Sequence, residues 1–262
     1  MKILRQVRVV GILLLALSVA GCASKSGGGS VGTPQQVTSR AQASARIHTE
    51  LAAQYYQRKQ FGVALEELET ALQAEPGYAP AFNLRGLVRM ELHEYQKADE
   101  DFRQSLRLDS SDSEAHNNYG WFLCQRGKEA DAIEHFMAAL KNPLYQTPEK
   151  AYLNAGMCSR KSGNIKDAEE FLKKALRIQP DMPEALLTLA DLNFANTDYA
   201  GAKSYFMRFS QSNTSPLTAE NLWLAVRIER KLGDRKAEER YAAELRQRFP
   251  DASETQLIRH RQ

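Results

Sequence analysis

The segment "ALEELETALQAEP", residues 64–76, recurs along the chain in altered form and decides the fold. It reappears as "AIEHFMAALKNP" at residues 132–143 and as "AEEFLKKALRIQP" at residues 168–180. Each copy has the helical spacing of apolar residues and ends at a proline, which cannot continue a helix because it lacks the backbone N–H. The aligned alanines are separated by 34, 34, 36 and 34 residues: Ala64, Ala98, Ala132, Ala168 and Ala202.

A period of 34 residues, each containing a helix, a turn and a second helix, is the signature of the tetratricopeptide repeat. The sequence therefore predicts an all-α fold, a right-handed superhelix (α-solenoid) of about six repeats over residues 45–250, in preference to an unrelated helical bundle. We expect Gly86, Gly120, Gly156 and Ala190 where the first helix of a repeat, helix A, crosses the second, helix B. The predicted repeats are 45–78, 79–112, 113–146, 149–182, 183–216 and 217–250, followed by a C-terminal tail at 251–262.

The N-terminus has the pattern of a signal sequence that directs a protein to the cell envelope. Basic residues at positions 2, 5 and 8 precede an apolar run over residues 9–20, which is shorter than the ~20 residues of a spanning helix. Val-Ala-Gly before Cys22 looks like the lipobox of bacterial lipoproteins, although an ordinary signal followed by a chance cysteine is the alternative. We expect a signal peptide at 1–21, covalent lipid (palmitate) on Cys22 and a flexible tether at 22–44 that is rich in Ser, Gly, Thr and Gln.

Charge and cysteine content limit the possible functions. The chain has 35 basic and 32 acidic residues, and removal of the signal peptide leaves 32 of each. This balance argues against nucleic acid as a partner. Of the three cysteines, Cys22 is assigned to lipid, and Cys124 and Cys158 either pair or remain as free thiols. Free thiols in the core are the expected state, because neighbouring helix axes usually lie about 8–10 Å apart.

The concave face of the superhelix is predicted to be an apolar groove that binds a partner protein. An amphipathic helix or an apolar segment would fit there; the alternative is that neighbouring repeats or a terminal helix bury these side chains. The apolar candidates are Leu87, Met90, Trp121, Cys124, Leu153, Met157, Leu187 and Phe194. The polar candidates are Arg46, Tyr56, Asn83, Gln125, Arg160, Lys161 and Asp191.

The sequence contains none of the motifs that would indicate catalysis. No histidine pair has the spacing of a metal site, and there is no P-loop and no G-x-S-x-G segment. We therefore expect no enzyme activity, no cofactor, no metal and no small-molecule substrate. Asn117, Asn118 and Asn154 could hold a peptide backbone, although a structural role is the expected one for Asn118 and Asn154.

Residues 117–176 resemble a known family more closely than they resemble repeats in general. "NNYGWFLC", the junction "NPLYQTPEKA" and "NAGMCSRKSGN" look like the PilW/PilF family of type IV pilus biogenesis and stability lipoproteins. The resemblance implies an outer-membrane lipoprotein that faces the periplasm and is lipidated at Cys22. It also implies a role as a pilotin for the pilus secretin, or as a factor that stabilises pili for twitching motility. A general envelope scaffold that recruits cell-wall enzymes is the alternative.

Overall fold

The structure, a computed structural model, describes the backbone of residues 34–259 and the side chains of residues 39–258. The predicted signal peptide and Cys22 lie outside this range. The described residues form thirteen helices and no strand, which confirms the predicted all-α class. The first twelve form six pairs: α1 (Pro34–Gln57) with α2 (Phe61–Ala74), α3 (Ala79–Glu91) with α4 (Tyr95–Leu108), α5 (Ser113–Gln125) with α6 (Glu129–Ala139), α7 (Pro148–Lys161) with α8 (Ile165–Ile178), α9 (Pro183–Ala195) with α10 (Tyr199–Ser212), and α11 (Ala219–Leu232) with α12 (Arg235–Arg248).

The pairs stack in one row with helices A on the inner side. Each helix packs on its partner in the pair, and each helix B also packs on the next helix A. Helices A additionally contact one another at α1–α3, α3–α5, α5–α7 and α7–α9, and no comparable contact joins neighbouring helices B in the described chain. Because helices A lie closer together than helices B, the stack curves around the A row. The α-solenoid prediction is confirmed.

Small residues at the crossing of helices A and B let the two backbones approach. A Cβ atom on Gly120 would fall 2.8 Å from the ring of Phe136, and one on Gly156 would fall 2.7 Å from Leu172. Contacts this short do not occur between real side chains, so the crossing admits only glycine unless its neighbours shift. The aligned alanines, predicted to occupy the other side of the crossing, are all fully buried: Ala64, Ala98, Ala132, Ala168 and Ala202.

The turns between helices A and B share a left-handed residue. Gly127 and Gly163, predicted from "RGKEADA" and "SGNIKDA", have φ of 73° and 80°. Glycine suits this conformation because it has no Cβ to clash with the backbone. The other repeats use φ of 77° at Gly233, 58° at Lys59, 60° at His93 and 64° at Thr197.

The helical part begins earlier than the sequence predicted. The flexible tether was expected to extend to residue 44, but α1 already starts at Pro34. The glycines of the N-terminal segment end at Gly32, and residues 34–44 contain none. Proline is favoured in the first turn of a helix, because its fixed φ suits the helix and its missing N–H would have no helical partner there. The lower limit of the helical body is therefore 34 rather than 45.

The predicted C-terminal tail also contains a helix. Helix α13 (Ser253–Arg259) packs against both α11 and α12. Ile258 is 3% exposed and joins the apolar cluster of the sixth repeat, and the hydroxyl of buried Thr255 donates to the carbonyl of Phe249 at 2.6 Å. Helix α13 therefore covers an apolar face of the sixth repeat.

Candidate partner-binding groove

The predicted groove residues lie on helices A, but most are less open than a docking surface requires. Seven of the eight are half-buried and one, Cys124, is buried. Leu87, Met90 and Trp121 pack against the core of the second to fourth repeats. Leu153, Leu187 and Phe194 pack against the core of the fourth to sixth repeats. Packing between repeats therefore accounts for part of the apolar stripe, as the alternative interpretation proposed.

Asparagines connect helices A of successive repeats. Asn118 Nδ2 donates to Asn83 Oδ1 at 3.3 Å, and Asn154 Nδ2 donates to Asn117 Oδ1 at 3.0 Å. Asn83 and Asn117 are buried, so these bonds satisfy amides that could not otherwise reach water. The structural role predicted for Asn118 and Asn154 is confirmed.

Cys124 and Cys158 form a disulfide rather than two free thiols. Their Cα atoms are 5.8 Å apart and belong to neighbouring helices A, α5 and α7. The expectation of free thiols was wrong because it used the distance between helix axes. Each Cα lies about 2.3 Å from its own axis, so two Cα atoms that face each other are several ångströms closer than the axes are. Lys161 adds a second link across the same helices by donating to the carbonyl of Cys124 at 2.7 Å.

An open cavity remains in the C-terminal half of the groove, where α7, α9 and α11 meet. Its volume is about 350 Å³. Two predicted apolar residues, Met157 and Leu187, line it together with two predicted polar residues, Arg160 and Asp191. Phe194 does not line it, because the guanidinium of Arg227 lies over the Phe194 ring at 4.7 Å from the ring centre. We call this space the α7–α9–α11 cavity.

The contribution of α11 to the cavity was missed from the sequence. Glu220, Leu224 and Arg227 line it opposite Glu184, Leu187 and Asp191 of α9. The groove residues predicted from the sequence extend only to Phe194 of the fifth repeat, so none of them lies on α11.

The cavity has a charged cluster at one end. A guanidinium nitrogen of Arg160 lies 3.7 Å from Asp191, and one of Arg227 lies 3.9 Å from Asp191 on the other side. Both separations exceed the range of a good hydrogen bond. Nε of Arg227 is buried and has no hydrogen-bond partner in the described part of the chain. Two positive side chains thus share one carboxylate without saturating their donors.

An ion pair anchors α11, the helix that carries Arg227. Lys203 of α10 donates to Oε2 of Glu229 at 2.7 Å, and Glu229 is buried. The hydrogen bond to Glu229 raises the pKa of Lys203 above its usual value. Asp234 approaches the same ammonium at 3.6 Å, and its pKa is lowered, mainly by a hydrogen bond from the backbone N–H of Ala237. The contact orients α11 against the fifth repeat.

Two other kinds of site are absent from the described residues. Among them, no three His, Cys, Asp or Glu side chains are placed so that they could share a metal ion. None of the helices built from these residues combines the length and apolar character that crossing a bilayer requires.

Comparison with known proteins gives the family. Tetratricopeptide-repeat profiles match residues 83–146, 130–183 and 159–212. The crystal structure of PilW, a widely conserved type IV pilus biogenesis factor, is 35% identical, covers 82% of this chain and 97% of its own, and gives a TM-score of 0.74. The chain belongs to the PilW/PilF family.

A second member of the PilW/PilF family matches over nearly the whole length. The type IV pilus assembly protein PilF of Pseudomonas aeruginosa is 27% identical over 250 residues, which are 95% of this chain and 97% of PilF. The solved structure of Pseudomonas aeruginosa PilF is 26% identical, covers 85% of this chain and all of its own, and gives a TM-score of 0.79. The chain is thus a tetratricopeptide-repeat scaffold related to type IV pilus biogenesis, and the family resemblance seen in residues 117–176 is confirmed.

Proposed function

We propose that the protein is an outer-membrane lipoprotein that acts as a pilotin: it holds the type IV pilus secretin while the secretin reaches or assembles in the outer membrane. The observation that carries the proposal is membership of the PilW/PilF family at 35% identity over 82% of the chain. Its relatives include a pilus biogenesis factor and a pilus assembly protein. The protein works by binding, and no chemical bond is made or broken.

Two features of the chain support an envelope location. Acyl chains on Cys22, the first residue of the mature chain, would hold the protein at a membrane surface. The next residue is Ala23, whereas lipoproteins that stay at the inner membrane of enteric bacteria usually have aspartate there, so the outer membrane is the favoured location. Two or more acyl chains give stable attachment, whereas a single chain gives only marginal binding. The Cys124–Cys158 disulfide fits the same location, because disulfides form and persist in oxidising compartments such as the bacterial periplasm.

The decisive experiment counts secretin oligomers in outer membranes from three strains: wild type, deletion, and Cys22→Ser. We expect the deletion strain to lose secretin oligomers and twitching motility. We expect Cys22→Ser to leave a folded but unanchored protein and to mislocalise the secretin. Normal secretin oligomers in the deletion strain, with pili lost, would favour stabilisation of the pilus fibre instead.

Lipidation has its own test. Globomycin, which blocks processing of lipoprotein precursors, should cause a precursor of the wild-type protein to accumulate. It should have no effect on Cys22→Ser, which lacks the thiol. If wild-type processing is indifferent to globomycin, the attachment part of the proposal fails. Co-purification with cell-wall hydrolases or synthases, in the absence of pilus proteins, would replace the pilotin role by that of a general envelope scaffold.

A further inference from the structure

The two longer walls of the α7–α9–α11 cavity carry matching stripes. Glu184, Leu187 and Asp191 recur at helical spacing on α9, and Glu220, Leu224 and Arg227 do so on α11. Each glutamate is the second residue of its helix, so both lie at the N-terminal ends of α9 and α11. The cavity therefore has an acidic end, an apolar middle and a mainly basic end.

The acidic end attracts a cation. Glu184 and Glu220 are exposed, and neither has an ion-pair partner within the described residues. They face the cavity from neighbouring helices, so an ammonium or guanidinium placed between them would meet two carboxylates at once. Like charges on facing helices repel each other, and a cation between them removes that repulsion.

The opposite end attracts a carboxylate. Arg160 and Arg227 approach Asp191 only to 3.7 and 3.9 Å, so the cluster holds two positive charges against one negative charge. The terminal guanidinium nitrogens of both arginines stay beyond good hydrogen-bond distance of Asp191, so they are the donors that an incoming oxygen would meet. A ligand carboxylate balances the cluster and accepts charge-assisted hydrogen bonds from the guanidinium groups.

The distance between the charged ends suits an extended ligand. Seven residues separate the charged ends on each helix, which is about 10.5 Å at 1.5 Å per residue. An extended chain places alternate side chains on one face, and five of its residues span about 13 Å between the first and last Cα atoms. Met157 and Leu187 provide apolar surface for the central side chain.

We propose that the α7–α9–α11 cavity binds an extended segment of a partner protein with the pattern basic–x–apolar–x–acidic. The basic side chain lies between Glu184 and Glu220, the apolar side chain fills the middle, and the carboxylate pairs with Arg160 and Arg227. The inference rests on the proposed function in one respect, that the protein acts by holding a partner protein. The site belongs to repeats four to six and is separate from the first three repeats.

Three synthetic peptides with blocked ends test the pattern: Gly-Lys-Ser-Leu-Ser-Glu-Gly, and the analogues with lysine at both charged positions or with glutamate at both. They are titrated onto the full chain, purified in detergent, with saturation-transfer NMR as the measurement. We expect the mixed-charge peptide to bind about tenfold more tightly than either analogue, and added salt to reduce the difference.

Two protein variants assign the ends of the site. Arg160→Gln/Arg227→Gln should lose the preference for the mixed-charge peptide over the double-lysine peptide. Glu184→Gln/Glu220→Gln should lose the preference over the double-glutamate peptide. Arg177→Gln/Arg235→Gln is the matched control, because both arginines are exposed on helices B, and it should bind like wild type. Circular dichroism checks that each variant is folded, and either of the two cavity variants is sufficient for the test.

Equal affinity of wild type for the three peptides, or no saturation at millimolar concentrations, would overturn the inference. The same holds if folded cavity variants keep the wild-type preferences. These outcomes are separable from failure of the proposed function, which is measured on secretin oligomers in cells. A deletion that abolishes the oligomers, together with indiscriminate peptide binding, would leave the pilotin role intact and remove only this site.

Discussion

Cys124 and Cys158 are bonded across α5 and α7, and their separation of 34 residues in sequence is two fewer than the 36 residues between Gly120 and Gly156. Both are buried beside the glycines that let their helices approach the adjoining helices B. The bond therefore joins the third and fourth repeats and fixes the spacing of their helices A.

Loss of this disulfide should weaken the fold. A cross-link that closes a loop of this length contributes about 2–4 kcal/mol to the free energy of unfolding, chiefly by constraining the unfolded chain. Urea unfolding of the wild-type protein with and without reductant measures the contribution without any substitution. Cys124→Ala/Cys158→Ala should match the reduced wild type within the cavity cost of the changes. An unfolding midpoint that is indifferent to reductant would show that the bond does not form.

Gly120→Ala should destabilise the protein, because the new methyl group would fall 2.8 Å from the Phe136 ring and 3.1 Å from the carbonyl of Ala132. Overpacking of this kind costs about 1–3 kcal/mol. Gly62→Ala is the matched control, since a Cβ there has no neighbour within 4 Å. It should be neutral or stabilising by up to about 1 kcal/mol, because alanine restricts the unfolded chain. Thermal unfolding of both variants measures the change in stability of each. Equal changes would contradict the explanation that Gly120 is required for the close approach of helices A and B.

Thr197→Gly should stabilise the protein by about 1 kcal/mol. Thr197 has φ of 64°, a left-handed conformation that is costly for a β-branched residue. The reverse change, Gly163→Thr, introduces the same strain at the equivalent turn of the fourth repeat, where φ is 80°. It should destabilise by a similar amount. Both variants are compared by chemical denaturation, and two changes of the same sign would refute the explanation.

Asp101→Asn should cost about 3 kcal/mol, because it leaves two partly buried arginines without their counter-charge. Asp101 is 3% exposed and accepts hydrogen bonds from Arg85 at 2.7 and 3.0 Å and from Arg89 at 2.7 Å. Glu100→Gln, at the exposed neighbouring position, removes the same charge and serves as the control. The measurement is the urea concentration at the unfolding midpoint. A decrease in stability as small as that of the control would show that Asp101 contributes no more than an ordinary surface ion pair.

His135 should make stability depend on pH. Its Nδ1 lies 2.9 Å from Nδ1 of His116, and burial, followed by the charge of His116, lowers its pKa below the ordinary value. The unfolded chain then binds more protons than the native one around and below the ordinary histidine pKa of about 6.5. The free energy of unfolding should therefore fall as the pH is lowered from about 7.5 to about 5.5, a window above the titration of carboxylates. His135→Gln should flatten this slope, and an unchanged slope would refute the assignment.

Local pattern was sufficient to predict the repeat architecture. The 34-residue period, the glycines at the crossings and the glycine turns each depend on contacts within one hairpin, which recur in every copy. A bulky residue at Gly120 or Gly156 would destabilise the crossing of helices A and B. The sequence therefore has a small residue at the equivalent position of successive repeats. The family resemblance was carried by residues 117–176, and the 35% identity to PilW over 82% of the chain confirms it.

The limits of the fold were predicted less well, because they depend on what each end packs against. The start of α1 at Pro34 and the docking of α13 on the last repeat have no counterpart in the repeat pattern. Terminal segments are not constrained by a neighbouring copy on both sides, so periodicity carries no information about them.

The sequence by itself determined the class of molecule: paired helices of fixed period, small residues where they cross, and an N-terminal segment with the pattern of a lipoprotein signal. Only the tertiary structure decided that Cys124 meets Cys158, that the middle of the groove is largely filled by packing, and that an open cavity remains between α7, α9 and α11. The physical reason is that the two kinds of feature depend on contacts over different distances along the chain. Periodicity reports which side of a helix is apolar, whereas disulfides, cavities and charge clusters depend on ångström distances between helices of different repeats, and curvature of the whole stack sets those distances.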